Sequence, residues 1–201
     1  MITLYHKPKT RSSRFLWLLE ELGTPYEIKL VTLRSSDGTS GPDPANPHPH
    51  GKVPAISDSD DGTVVFESPA IVLYLTDKFP TAGIGPTVGD ARRGDYLSWL
   101  SYYTGVLEPA FMSKFMKVEV PVVTAGWVAV ENAMPFIVKT LSAEPYILGE
   151  KFSGADILYA TTFAMFGASP MMPKSEVIDG YVQRCLERPA YARAMAKDAG
   201  Q

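Results

Sequence analysis

The apolar and polar positions change period along the chain, and the changes outline its elements. Residues 2–6, Ile-Thr-Leu-Tyr-His, are rich in aliphatic and aromatic residues and predict a short strand. Phe15, Leu18, Leu19 and Leu22 then fall at i, i+3, i+4 and i+7, a helical stripe that Gly23 should stop and that Thr10, Ser12 or Ser13 could cap. Tyr26 to Leu33 reads as a second strand, and strand-helix-strand order favours a parallel pair. Residues 34–51, rich in Gly, Pro, Ser and Asp, predict a long surface loop, a length usually reserved for function. Val53–Ile56 and Thr63–Phe66 form a further pair of short strands around an Asp/Gly turn at 58–62. Ser68-Pro69 opens a helix with a capping residue and proline at its first position; Ile71, Val72 and Leu75 line its buried face, and Pro80 ends it.

Beyond a Gly/Pro/Thr-rich stretch at 81–89, which reads as a linker, the pattern is helical throughout: 90–116, 121–142, 154–167, 174–187 and 189–198. Pro135 should kink or split its helix. Ser153 and Asp156 are spaced as a capping box, with Phe152 and Ile157 as a hydrophobic staple around it. Cys185 reads as a small buried apolar residue.

Composition narrows the function classes. The chain has 201 residues, is 45% hydrophobic and 20% charged, and carries a net charge of −3, so nothing marks a nucleic-acid partner. No apolar run approaches the ~18–20 residues that span a bilayer, and the start, Met1-Ile2-Thr3-Leu4-Tyr5, lacks signal-peptide character. With one cysteine there is neither an intramolecular disulfide nor a CxxC motif, which fits a cytoplasmic location. His48 and His50 lie in a Pro-rich loop without further metal-ligand partners, so no metal is expected.

Candidate chemistry concentrates at helix starts, where unpaired N–H groups and the macrodipole favour anions. Thr10-Arg11-Ser12-Ser13-Arg14 offers hydroxyls at one start, and Glu67-Ser68 an acid and a hydroxyl at another. Val53-Pro54 offers extended backbone between them. Taken alone, the hydroxyls read as helix caps, Glu67 as a favourable first-turn acid, Lys52 as a solvated cation, and Val53-Pro54 as an ordinary trans bond. Tyr5, inside the first strand, reads as core.

In this order the chain resembles the cytosolic glutathione transferase superfamily over essentially its whole length. The matching phrases are Phe15-Leu16-Trp17-Leu18-Leu19-Glu20-Glu21-Leu22-Gly23, His48-Pro49-His50-Gly51-Lys52-Val53-Pro54-Ala55 and Glu67-Ser68-Pro69-Ala70-Ile71-Val72-Leu73-Tyr74-Leu75. Phe152-Ser153-Gly154-Ala155-Asp156-Ile157 and Arg188-Pro189-Ala190-Tyr191-Ala192-Arg193-Ala194 follow in the helical half. The resemblance implies an α/β plus all-α architecture: a thioredoxin-like βαβ-ββα domain over 1–80, a linker over 81–89 and a helical domain over 90–201. It further implies a cytoplasmic homodimer that uses glutathione as co-substrate against a small electrophile, or to reduce peroxides, without metal, membrane or nucleic acid.

By the same resemblance, in a theta- or delta-like register Thr10 takes the place of the catalytic serine, with Ser12 as runner-up, and Arg11 stands where beta-type relatives carry cysteine. Val53-Pro54 would be cis, with the Val53 backbone pairing to the cysteinyl part of glutathione. Glu67 and Ser68 would hold its γ-glutamyl end, and Lys52, with Arg34 and His50, its glycyl carboxylate. The second substrate would face the helix of Tyr96, Trp99, Tyr102, Tyr103, Leu107 and Phe111, with Tyr103 and Phe111 as the exposed members of a mostly buried set. A transferase-like binding scaffold without turnover is the alternative, and a thiol-disulfide oxidoreductase, which needs a cysteine near the first helix, ranks last.

Overall fold

The computed structural model describes residues 1–35, 37–39 and 41–200, so Ser36 and Ser40 of the predicted loop lie outside the described residues. Two compact units divide the chain: Met1–Ala82 joined by the segment from Arg188 onward, and Gly83–Glu187. The first is an α/β unit with a four-stranded mixed sheet, the second is helical.

In the first unit β1 (Ile2–His6) buries Ile2, Leu4 and His6 on one face, the period-2 alternation of a strand. Helix α1 (Ser13–Leu22) follows and ends at Gly23, whose left-handed φ of 63° lets its N–H reach the Leu19 carbonyl. Strand β2 (Tyr26–Leu30) returns parallel to β1; β3 (Ala55–Asp58) pairs antiparallel to β1, and β4 (Val64–Phe66) antiparallel to β3. The sheet order is β2-β1-β3-β4, and α2 (Ser68–Lys78) follows β4. This is the thioredoxin-like βαβ-ββα layout. The third strand starts two residues later than the sequence pattern suggests, because Pro54 has no N–H for the ladder. The second stops at Leu30.

The predicted stripe on α1 is only part of its buried surface. Leu16 and Trp17 are buried as fully as Phe15, Leu18 and Leu19, because α8 (Pro189–Ala199) packs on α1. The helical pattern at 189–198 was expected to belong with the preceding helices; its contacts put it in the first unit. Tyr191 meets Trp17 edge-on at 5.1 Å between ring centroids. Trp17 Nε1 donates to Glu21 Oε1 at 2.9 Å, and Arg188 grips the same carboxylate with Nε at 2.6 Å and Nη2 at 2.8 Å. Glu20 accepts from Lys197 (2.5 Å), Arg193 (2.8 Å) and the Tyr26 hydroxyl (2.8 Å).

The second unit holds α3 (Arg93–Tyr102), a π-helical turn at Tyr103–Leu107, α4 (Glu108–Met116), α5 (Val130–Ala143), α6 (Gly154–Phe166) and α7 (Glu176–Leu186). The helix predicted from residue 121 begins only at Val130. Pro135 neither splits nor ends it: the proline removes one bond, to the carbonyl of exposed first-turn Glu131, and the helix continues. The capping box is present. Buried Asp156 accepts from Ser153 N–H and Oγ–H, both at 2.8 Å, from Ile147 N–H at 2.9 Å and from the Tyr181 hydroxyl at 2.9 Å. No helix among the described residues is long and apolar enough to cross a membrane.

Replacing Arg188 with alanine should cost about 2 kcal/mol of unfolding free energy in denaturant titrations, since the mostly buried Glu21 carboxylate loses its bidentate partner. Glu20 supplies a pH test. Burial alone would raise its pKa, but hydrogen bonds from Lys197, Arg193 and Tyr26 outweigh burial and hold it at about 2 instead of 4.5. Because the folded value is the lower one, the stabilisation is present above pH 4.5 and is lost as pH falls towards 2. Wild type should lose more stability than Glu20→Gln across that window, and equal losses would contradict the assignment.

Candidate functional site

The sheet register brings the sequence motifs to one end of the first unit. β1 ends at His6, and Tyr5 pairs with Ala55, so Val53 and Pro54 lie beside the segment leaving β1. Ala55 also pairs with Phe66, so Glu67 and Ser68 emerge from β4 at the same end. His6 pairs with Leu30, and the Val31 N–H bonds the His6 carbonyl at 2.9 Å, so the loop carrying Arg34 departs from there too. Topology alone gathers two helix starts and an extended backbone segment.

The Val53–Pro54 bond is cis, and no hydrogen bond with any described residue occupies the Val53 N–H or carbonyl. The preceding loop is tied down on itself. Asn46 Nδ2 donates to the Lys52 carbonyl at 2.9 Å, Asn46 Oδ1 accepts the His48 N–H at 3.1 Å, and His48 Nδ1 accepts the His50 N–H at 3.1 Å. His48 is buried against Phe66. Gly51 adopts φ 59°, and a Cβ there would stand 2.2 Å from Pro42 Cβ, so only glycine fits. Asn46 was not singled out in the sequence; its Asn-Pro context was the available signal. A cavity of about 600 Å³ opens beside this loop, and Arg34, His50 and Lys52, all exposed, line it. Three cationic or protonatable groups around one opening suit a carboxylate. No cluster of metal-ligating side chains occurs among the described residues.

Glu67 stands at the N-cap of α2 with φ 69°, a strained value for a residue with a Cβ. Its side chain is exposed, and Ser68 behind it is buried, with no hydrogen-bond partner on its hydroxyl among the described residues. The leading N–H groups of α2 complete an anion-favouring end.

At α1 the two candidate hydroxyls differ. Ser12 occupies the N-cap position but makes no side-chain cap bond. Its hydroxyl is fully buried and turned inward, 2.8 Å from His6 Nδ1 and 3.1 Å from both the N–H and the carbonyl of Lys7. Thr10 is half-buried; its Oγ1 lies 2.6 Å from the Lys7 carbonyl and 2.8 Å from Ser12 Oγ, and accepts the Ser12 N–H at 3.2 Å. His6 and Asp198, which complete this cluster, were not singled out in the sequence, because the contact joins the two ends of the chain. Tyr5, expected in the core, is half-buried, with its hydroxyl 3.4 Å from Ser57 Oγ.

Tyr103 and Phe111 do not face solvent as expected for pocket residues. The Tyr103 hydroxyl lies 2.8 Å from Glu108 Oε1 and from Thr162 Oγ1, and Phe111 stacks on Phe166 at 4.9 Å, which places both inside the helical unit. Aromatic residues at helical spacing pack first and face ligands second.

Residues 10–78 match the family model described as glutathione S-transferase, N-terminal domain. Glutathione S-transferase GstA of Escherichia coli O157:H7 is 28% identical, covering 97% of this chain and 98% of its own length. Among solved structures, a glutathione transferase from Methylococcus capsulatus superposes with a TM-score of 0.80 at 26% identity, covering all of both chains. A sphingomonad glutathione S-transferase solved in complex with glutathione superposes with a TM-score of 0.76 at 27% identity, over 98% of each chain. The family model covers residues 10–78 within the sheet-bearing unit, and the likeness to bacterial glutathione transferases in sequence and fold runs the length of the chain.

Proposed function

We propose that the protein is a glutathione transferase that presents the glutathione thiolate to a small electrophile. The convergence of Thr10, Val53 and Ser68 at one end of the sheet carries this reading. In it the cysteinyl backbone of glutathione pairs with the vacant N–H and carbonyl of Val53, as an added strand would. Its γ-glutamyl carboxylate meets Ser68 and the α2 N–H groups while its ammonium meets Glu67. Its glycyl carboxylate lies towards Lys52, Arg34 and His50.

The chemical task is ionisation. A thiol with a pKa of about 8.5 is only a few per cent thiolate at neutral pH, and lowering it two units takes about 2.7 kcal/mol. One hydroxyl hydrogen bond to an anion supplies roughly 1.5–3 kcal/mol, and a helix start adds to it. Thr10 is the assigned donor: half-buried and at the start of α1, it can turn its proton from the Lys7 carbonyl to sulfur. Ser12 is too enclosed to reach a ligand. The non-catalytic scaffold keeps one supporting observation, since the Thr10 proton already has an acceptor within the chain. Thiol-disulfide exchange through the protein has none, because Cys185 is buried in α7.

Glutathione titrated at neutral pH should produce the ultraviolet absorbance of bound thiolate. Thr10→Val, which keeps shape and loses the hydroxyl, should remove that absorbance and lower kcat/KM about 100-fold, the equivalent of two pKa units. Thr10→Ser should retain both. Saturable binding without thiolate would favour the scaffold, and no binding at millimolar glutathione would overturn the transferase reading. Lys52→Ala should raise the KM for glutathione up to about tenfold with little change in kcat, the loss of one charge-assisted contact.

A further inference from the structure

From His48 to Gly51, in the turn that leads to Lys52, each backbone N–H finds its acceptor inside the turn. The His48 N–H goes to Asn46 Oδ1 at 3.1 Å, the His50 N–H to His48 Nδ1 at 3.1 Å, and the Gly51 N–H to the His48 carbonyl at 2.8 Å. Pro49 has no N–H to place. Two of the three acceptors therefore belong to His48. A side chain that accepts the N–H two residues on is the device by which asparagine shapes turns, and Asn46 uses it on His48. His48 repeats it on His50 with a ring nitrogen.

That nitrogen must be bare. An imidazole nitrogen that accepts an N–H carries no proton, so the neutral ring keeps its one proton on Nε2. A second proton would enter at Nδ1 and meet the His50 N–H, donor against donor. The ring is buried against Phe66, 5.4 Å between centroids, so turning it out to water would cost that packing. Burial disfavours the ring cation most; Glu67 at the start of α2 favours it, and His50 and Lys52 on the turn disfavour it. Arg34 and Asp43 line the same cavity, and the Asp43 carboxylate already accepts the Ala45 and Thr32 N–H groups. The balance holds the His48 pKa below the ordinary 6.5.

We propose that His48 is a positioning residue for the glycyl carboxylate of glutathione: its bare Nδ1 holds the turn that sets His50 and Lys52 at the cavity, so the grip on that carboxylate depends on an unprotonated ring. The inference rests on the reading of this cavity as the glycyl end of the glutathione site. Because the folded value is the lower one, the turn is intact above pH 6.5 and gives way as pH falls below it.

The test is calorimetric titration with glutathione and with its glycyl ethyl ester, in which that carboxylate is masked. The ratio of the two Kd values reads the glycyl carboxylate alone, since the thiol is common to both ligands. Wild type should prefer glutathione about tenfold at pH 7.5, the worth of one charge-assisted contact. His48→Leu keeps an apolar contact for Phe66 and loses the acceptor; it should reduce the preference to within about twofold by weakening glutathione and sparing the ester. His48→Asn can take the His50 N–H on its Oδ1 and should retain most of the preference. Between pH 7.5 and about 5 the preference should shrink in wild type and stay level in His48→Asn. His50 is present in both proteins, so the difference between their profiles belongs to His48. An undiminished preference in His48→Leu, equal losses in both variants, or parallel pH profiles would overturn the proposal and leave the glycyl reading standing. Equal binding of both ligands by wild type would instead sink the glycyl reading, and binding of neither would sink the transferase reading. Should His48→Leu not fold, His48→Asn and the two pH profiles decide.

Discussion

The docking of α8 on α1 is the contact on which the first unit depends. Helix α1 is buried from Arg14 through Leu19, more than one stripe, and a helix buried that far round needs cover on two sides. The sheet supplies one and α8 the other. Trp17 is the pivot: its ring meets Tyr191, and its Nε1 donates to Glu21, the carboxylate that Arg188 grips. Around this, Glu20 gathers Lys197, Arg193 and Tyr26. Individual exposed pairs of this kind contribute little. These share two largely buried carboxylates on one helix, so their geometry is constrained and their loss would free the terminal helix as a unit.

The same docking explains how the functional end is built. α1 places its N-terminus at the end of β1, and α8 runs alongside so that Asp198 arrives at that N-terminus. A carboxylate there meets the positive end of α1 as well as its hydrogen-bond partners, which offsets its unfavourable place in its own helix. The end of β1, with its imidazole, and the segment leading to α1, with its hydroxyls and strained Lys9, are therefore held by contacts from α8 as well as from their own neighbours. Rigid support of this kind is what a site needs if one hydroxyl is to meet a sulfur in a single geometry.

Much of this was legible in the sequence wherever the signal was local. The spacing of Phe15, Leu18, Leu19 and Leu22, the Gly23 stop, Ser68-Pro69 and the Ser153/Asp156 box each encode their element within a few residues. The fold class followed from their order. What stayed hidden depended on distant partners. The burial of Leu16 and Trp17 needs α8; the enclosure of Ser12 needs His6; the burial of Asp198 needs a helix start more than 180 residues away. Tyr103 and Phe111 failed as pocket candidates for the same reason, because their partners Thr162 and Phe166 lie on α6. Where helix 130–143 begins was lost to a weaker competition, in which Pro121 and Gly126 outweighed the apolar run around them.

The choice between Thr10 and Ser12 shows why a motif read as a string understates the chemistry. Both are hydroxyls near one helix start, and spacing alone treats them as rivals. A hydroxyl has one proton, however, and what matters is which acceptors already claim it. Ser12 is surrounded by a ring nitrogen, a carbonyl, an N–H and a second hydroxyl, all inside the protein. Thr10 faces the same carbonyl and the same serine but keeps part of its surface open. The two residues share the Lys7 carbonyl as an acceptor and lie 2.8 Å apart, and exposure is what separates them. The extra methyl group of threonine narrows the choice further, since β-branching restricts χ1 and with it the directions that the hydroxyl can take.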